Sequence, residues 1–160
     1  MTLLSKTGFV YRQRRNTLGY LSGFSLESSF AYRTTNSGQG WGITQDGSSV
    51  IVSDGSSFLH FWDPSSLVDG GEAKQLRRVQ VTDDRGEPID QLNELEFVCG
   101  EVLANVWHQE YILRIDPTTG KVKGRYDFSG LQANHGRESC LNGIAYDASR
   151  GVLLITGKNW

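Results

Sequence analysis

The chain repeats itself at a spacing of about fifty residues, and few folds are compatible with such a period. One stretch runs from Gly40 through Gly42-Ile43-Thr44-Gln45-Asp46-Gly47, an apolar run Val50-Ile51-Val52, and then Phe61-Trp62-Asp63-Pro64. Another runs through Leu92 and Glu94-Leu95-Glu96-Phe97, the run Val102-Leu103-Ala104, and then Arg114-Ile115-Asp116-Pro117. A third opens at Leu141-Asn142-Gly143-Ile144-Ala145-Tyr146-Asp147 and runs to Trp160. Asp63 and Asp116 are 53 positions apart, and Asn93 and Asn142 are 49 apart. Short strands and turn signals recurring at this period predict an all-β chain of propeller type, one repeat to each blade. Innermost strands of a propeller meet at a hub where ligands bind, so the residues opening each repeat are the candidate functional ones.

At 160 residues the chain is long enough for one ordinary core. It is too short for a closed ring of four or more blades at about fifty residues each. Three incomplete blades are what the arithmetic allows, which leads us to expect a fragment, a truncated gene product or a part that needs a partner. Sixteen basic against 18 acidic residues give a net charge of −2, too little field to recruit nucleic acid or an anionic membrane. The one basic cluster, Arg12-Gln13-Arg14-Arg15, reads as a solvated loop between strands. No apolar run reaches the length of a membrane span, and Met1 to Phe9 lacks an apolar core of signal-peptide length. A targeting segment, if the protein is secreted, is expected upstream. Cys99 and Cys140 make at most one disulfide; each adjoins a strand pattern, which favours buried free thiols.

Helical periodicity is nearly absent, while 19 glycines suit tight hairpins that need positive φ. Strands are expected at Thr7 to Tyr11, Leu18 to Phe24, Gly42 to Thr44, Val50 to Ser53, Phe58 to Trp62 and Gln75 to Val81. Others are expected at Glu94 to Phe97, Glu101 to Val106, Tyr111 to Ile115, Val122 to Asp127, Gly143 to Tyr146 and Val152 to Thr156. Asp46-Gly47, Asp54-Gly55, Asp63-Pro64 and Asp116-Pro117 mark turns, because aspartate caps the backbone two residues on and Gly or Pro sets φ. Asp83 to Pro88 reads as a polar hairpin tip, and Leu131 to Ser139 as a loop.

The repeat openings are unusual for plain structural strands. Gly40-Trp41-Gly42 places an indole between two glycines, and Leu92-Asn93-Glu94-Leu95-Glu96 has a polar amide in the corresponding region. Asn105-Val106-Trp107 and Thr156-Gly157-Lys158 end strands with a second tryptophan and a lysine. These strings, with Lys6-Thr7-Gly8-Phe9-Val10-Tyr11, Val52-Ser53-Asp54-Gly55-Ser56 and Leu141-Asn142-Gly143-Ile144-Ala145, resemble the plant and bacterial type of glutaminyl-peptide cyclotransferase. Seven motifs in the family's order cover nearly the whole chain.

The resemblance implies a five-bladed β-propeller, of which this chain would cover about three incomplete C-terminal blades, residues 1–160 forming one partial propeller. It implies an enzyme that converts the N-terminal glutamine of peptides or proteins into pyroglutamate with loss of ammonia. Its site uses a glutamate, tryptophans, an asparagine and a lysine, with no catalytic metal and no cofactor. Carried over by residue, the catalytic positions are Lys158 and Asn93, and the substrate-binding positions are Trp41 and Trp107. His60, His108 and His135 show no metal-ligand spacing, which fits the metal-free type. Indoles and an amide can hold the folded glutamine, while the lysine can steady an oxyanion or move a proton.

Without the resemblance each residue has a plainer reading: a tryptophan as core, Asn93 as a turn or cap, Lys158 as a solvated chain-end lysine. Trp62 is read as packing and Trp160 as frayed, and Glu94 and Glu96 give their strand one polar side. The family's Phe-Thr-Gln-Gly-Leu and Tyr-Glu-Ser motifs, the latter carrying its catalytic glutamate, are absent, and Leu3 stands near the place of another site tryptophan. The chain alone is therefore expected to be inactive, with open sheet edges and poor solubility. Two other classes stay open. One is a propeller fragment that binds peptides or partners without catalysis. The other is a tryptophan-aspartate scaffold, weak because Trp62-Asp63 recurs only as Ile115-Asp116. Family members usually enter secretory or exported routes, which is all the resemblance suggests about location.

Overall fold

Continuous apolar runs such as Val50-Ile51-Val52 and Val102-Leu103-Ala104, bounded by turns, make strands that bury both faces, so successive hairpins stack against one another. In the computed structural model, which describes residues 6–36, 38–131 and 139–160, the chain is all-β and forms four sheets. The first joins β1 (Lys6–Arg15), β2 (Leu21–Tyr32) and the short β6 (Gly71–Glu72) in the order β1-β2-β6. The second is β3 (Gly42–Gln45), β4 (Val50–Ser53), β5 (Phe58–Trp62) and β7 (Gln75–Gln80), antiparallel in that order. The third is β8 (Leu92–Val98), β9 (Glu101–Val106), β10 (Tyr111–Ile115) and β11 (Val122–Asp127), likewise antiparallel. The fourth is the hairpin β12 (Cys140–Asp147) and β13 (Val152–Lys158). Each of the three repeats opens a new sheet.

Three apolar layers lie between these four sheets. Phe30, Val52, Trp62 and Leu67 fill the first. Ile51, Leu59 and Phe61 meet Leu95, Val102, Ala104, Leu113 and Ile115 in the second. Leu103 and Ile112 meet Leu141 and Ile144 in the third. Neighbours in one strand serve opposite layers: Ile51 and Val52 part company, as do Leu103 and Ala104, which is the period-two rule of a strand buried on both faces. The first strands of successive sheets are in contact, β3 against β8 and β8 against β12. The Phe97 N–H donates to Thr44 Oγ1 at 3.0 Å and the Tyr146 N–H to Glu96 Oε1 at 2.9 Å, so a side chain of the preceding sheet satisfies each inward-facing amide.

Several expectations need correction. The basic run at Arg12 to Arg15 belongs to β1 and not to a loop, with Arg12 ion-paired to Glu27 across the hairpin. The strand expected from Leu18 starts at Leu21 and continues to Tyr32. Asp63-Pro64 starts a short helix, α1 (Pro64–Val68), with the Asp63 carboxylate accepting the Ser65 N–H and Pro64 in the first turn. Both cysteines are free, but Cys99 is exposed at φ 51° in the β8–β9 turn and only Cys140 is buried. Trp160 is not simply frayed: its indole lies on Gly157, where an added Cβ would collide with the ring. Trp62 is core, as expected, 3% exposed against Phe30 and Tyr32. Leu3, His135 and most of the 131–139 loop lie outside the described residues.

Candidate active site

The pairing registers define a layer shared by three sheets. Gly42 pairs with Ser53, Leu92 with Val106, and Leu141 with Gly157. The residue after each second strand partner is therefore Asp54, Trp107 or Lys158, and the residue before each inner partner is Trp41, Gln91 or Cys140. All four residues marked out in the sequence fall within one rung of this layer.

Trp41 and Trp107 touch, with ring centroids 5.8 Å apart and planes at 80°, the edge-to-face arrangement aromatic rings prefer. Glycine makes this possible. Gly55 lies under the Trp41 ring at φ 79°, and a Cβ there would stand 2.7 Å from the indole. Gln91, itself at φ 66°, donates its N–H to the Gly55 carbonyl and accepts the Trp107 N–H, each at 2.9 Å. The Trp41 Nε1–H donates to Gln39 Oε1 at 2.8 Å, while Trp107 is 40% exposed. An aromatic wall with one open face results. Gly40, Trp41 and Gly42 also border an apolar cleft with Phe9, Tyr32 and Ile43.

Asn93 adjoins this wall through the backbone. Its carbonyl accepts the Ser53 hydroxyl, which in turn accepts the Gly42 N–H at 2.9 Å, and Gly42 has no room for a side chain against that same carbonyl. Lys158 joins the layer by register: it pairs with Cys140 and is exposed at the end of β13. A cleft nearby is lined by His108, Glu110, Ser139, Trp160 and Cys140, the pairing partner of Lys158. The structure thus brings Trp41, Trp107 and Asn93 together and sets Lys158 on the neighbouring sheet at the same level.

Other polar groups here carried no clear sequence signal. Glu94, beside Asn93, is half-buried and borders a cleft with Gly143, Ala145 and Thr156. Burial pushes its carboxyl above the usual range, and the Glu96 charge adds to the effect. The alternation Leu-Asn-Glu-Leu-Glu was its signal; burial could not be read from it. Asp54, the counterpart of Trp107, is fully buried. Burial pushes its carboxyl up, but His60, Ser56 and the Asn36 N–H more than offset that and hold it well below the usual carboxylate range. His60, 2% exposed, has Nε2 3.4 Å from Asp54 Oδ2 and Nδ1 2.8 Å from Gln75 Oε1. This network ties Thr35 and Asn36 to the sheet. Among the described residues, no three His, Cys, Asp or Glu side chains gather as metal ligands do, and no helix is long and apolar enough to cross a membrane.

The chain as a whole is similar to known proteins. The family described as glutamine cyclotransferase matches residues 8–160. A glutaminyl-peptide cyclotransferase of Arabidopsis thaliana is 32% identical over 98% of the chain and 45% of its own length. The crystal structure of Myxococcus xanthus glutaminyl cyclase superposes with a TM-score of 0.75 at 33% identity, covering 95% of this chain and 65% of that one. The chain therefore spans about half the length of the curated relative it matches.

Proposed function

The chain belongs to the glutamine cyclotransferase family, and on that premise we propose that the protein it forms part of converts N-terminal glutamine of peptides and proteins into pyroglutamate. The Trp41–Trp107 wall beside Asn93 is the observation that carries this reading. The four sheets are part of a five-bladed propeller, residues 1–160 being one partial propeller, and further blades supply the rest of the hub.

The substrate's α-nitrogen attacks the side-chain amide carbon. The new C–N bond closes the five-membered ring, the bond to the amide nitrogen breaks, and the proton lost by the α-nitrogen leaves on ammonia. Ring closure is intramolecular, so the main task is holding the folded conformer, which edge-to-face indoles suit because they are rigid and apolar. The Asn93 amide bonds the substrate amide, and the Lys158 ammonium stabilises negative charge on its oxygen or moves a proton. Nothing in these steps calls on a metal. The principal acid/base is assigned to a blade that this chain does not contain, which makes the 160-residue chain inactive alone.

The decisive assay follows ammonia release from a glutamine-initiated dipeptide, using this chain and the same chain extended to the family's full length. Turnover by the extended protein alone supports the reading. Turnover by the short chain would transfer the acid/base role to a residue of these 160, with Glu94 and Glu96 the candidates. If neither form turns over but the extended protein binds the peptide, the non-catalytic binding module replaces the enzyme.

A further inference from the structure

The inner strands β8 and β12 carry the same irregularity at the same level, and β3 does not. Register slips between Leu92 and Leu95 in β8 and between Leu141 and Ile144 in β12, leaving Asn93-Glu94 and Asn142-Gly143 unmatched. β3 pairs without a break from Gly42 to Gln45. A bulge releases a residue from the ladder and re-aims its side chain, and bulges gather beside active sites. Asn142 therefore holds in β12 the place that Asn93 holds in β8, and the two strands are in contact. Both asparagines are half-buried, and neither side-chain amide makes a hydrogen bond among the described residues.

The second bulge is held from behind. Asn105, fully buried in β9 opposite the β8 bulge, accepts the Gly143 N–H on Oδ1 at 3.1 Å. Its Nδ2 is the one buried side-chain nitrogen or oxygen without a partner among the described residues. Gly143 has φ 138°, and a Cβ added there would stand 2.5 Å from the Thr156 side chain. The bulge is thus fixed at its second residue by a bond and by a conformation that glycine adopts freely.

We infer that Asn142 is a second amide-binding asparagine, set beside Asn93 by the matched bulge and positioned by Asn105, and that the pair selects glutamine over glutamate. The inference rests on the cyclotransferase reading above. A carboxamide presents one acceptor oxygen and one donor nitrogen, and so does each asparagine. Asn93 donates to the substrate oxygen while Asn142 accepts from its nitrogen. A glutamate carboxylate has no such donor, leaves that asparagine oxygen facing negative charge, and is rejected as an analogue lacking the bonded group.

The test uses the full-length protein that contains this chain, with kcat/KM for a glutamine-initiated dipeptide and the inhibition constant of the matching glutamate-initiated dipeptide. Asn142→Ala should lower kcat/KM roughly tenfold or more, and the preference for glutamine over glutamate should shrink by a similar factor. Asn142→Asp, which keeps size and an acceptor, should lose less with glutamine and bind glutamate more weakly still. Asn105→Leu, which removes the bond to Gly143, should move the same ratio in the direction Asn142→Ala does. Should Asn142→Ala fail to fold, Asn142→Asp supplies the comparison. An Asn142→Ala enzyme within about twofold of wild type overturns the inference, as does a loss of turnover at an unchanged glutamine-to-glutamate ratio. A wild-type protein that does not cyclise overturns the cyclotransferase reading itself, and this inference with it.

Discussion

Asp54 and Trp107 occupy the same position in two sheets of the same design, and they do opposite things. Each follows the second strand's terminal partner, Ser53 in one sheet and Val106 in the next. Asp54 is fully buried and ties a loop to its sheet; Trp107 is 40% exposed and forms one side of an aromatic wall. In the fourth sheet the position belongs to the exposed Lys158. A repeating backbone therefore supplies equivalent sites at one end of its sheets, and each sheet uses its own site differently: one to hold the fold, the next two for groups that face outward.

The comparison is most exposed to failure at Asp54. Asp54→Ala in the full-length protein leaves the His60–Gln75 pair and the Asn36 amide without their acceptor in a dry site, and should cost about 3–5 kcal/mol in urea unfolding. Because its folded pKa is depressed, the stability Asp54 contributes is complete above its unfolded value near ~4 and is lost as pH falls below that. Wild type should weaken across that acid range more than Asp54→Ala does. A loss under 1 kcal/mol would mean that Asp54 is no more structural than its counterparts.

Next in size comes Gly42→Ala, whose added carbon meets the Asn93 carbonyl of the neighbouring sheet. We expect about 1–3 kcal/mol of destabilisation by chemical denaturation, with turnover falling alongside it. Trp107→Ala should do the reverse, costing about 1 kcal/mol or less because the ring is half open, while the cyclisation proposed for the full-length protein drops at least about tenfold. Comparable stability losses at Asp54 and Trp107 would erase the contrast between them.

The smallest effect sharpens the view of the inner strand. The Glu94 folded pKa lies above its unfolded value, so ionising it opposes folding. Glu94→Gln should melt at the same temperature as wild type below about pH 4, and slightly higher near neutrality. A lower melting point at neutral pH would instead show an unseen cation bonded to Glu94.

Much of this was legible in the chain. The Asp-Pro and Asp-Gly turns and the period of about fifty residues marked where sheets begin, and the expected bounds of β4, β5, β9, β10 and β11 match the observed ones. β4, β5, β9 and β10 are legible because an apolar run with turn residues at its ends is a local code, and the mostly exposed β11 because it follows the Asp116-Pro117 turn. β2 was read short because Leu26 and Phe30 continue beyond a Ser-rich stretch that local propensity treats as a break. The five residues of α1 show no helical period; its start comes from Asp63 and Pro64, and it packs on β2.

For the site, the sequence alone determined the residue types, the order of the motifs and the family. Tertiary structure decided which of them meet. That Trp41 and Trp107, 66 positions apart, touch edge to face depends on the stacking of two sheets over Gly55. That Asn142 matches Asn93 depends on a bulge, and a bulge exists only relative to the strand it pairs with. Burial likewise separates Asp54 from its equivalents and raises the Glu94 carboxyl, because desolvation is a property of what the rest of the chain packs around a group and not of the group's neighbours in sequence.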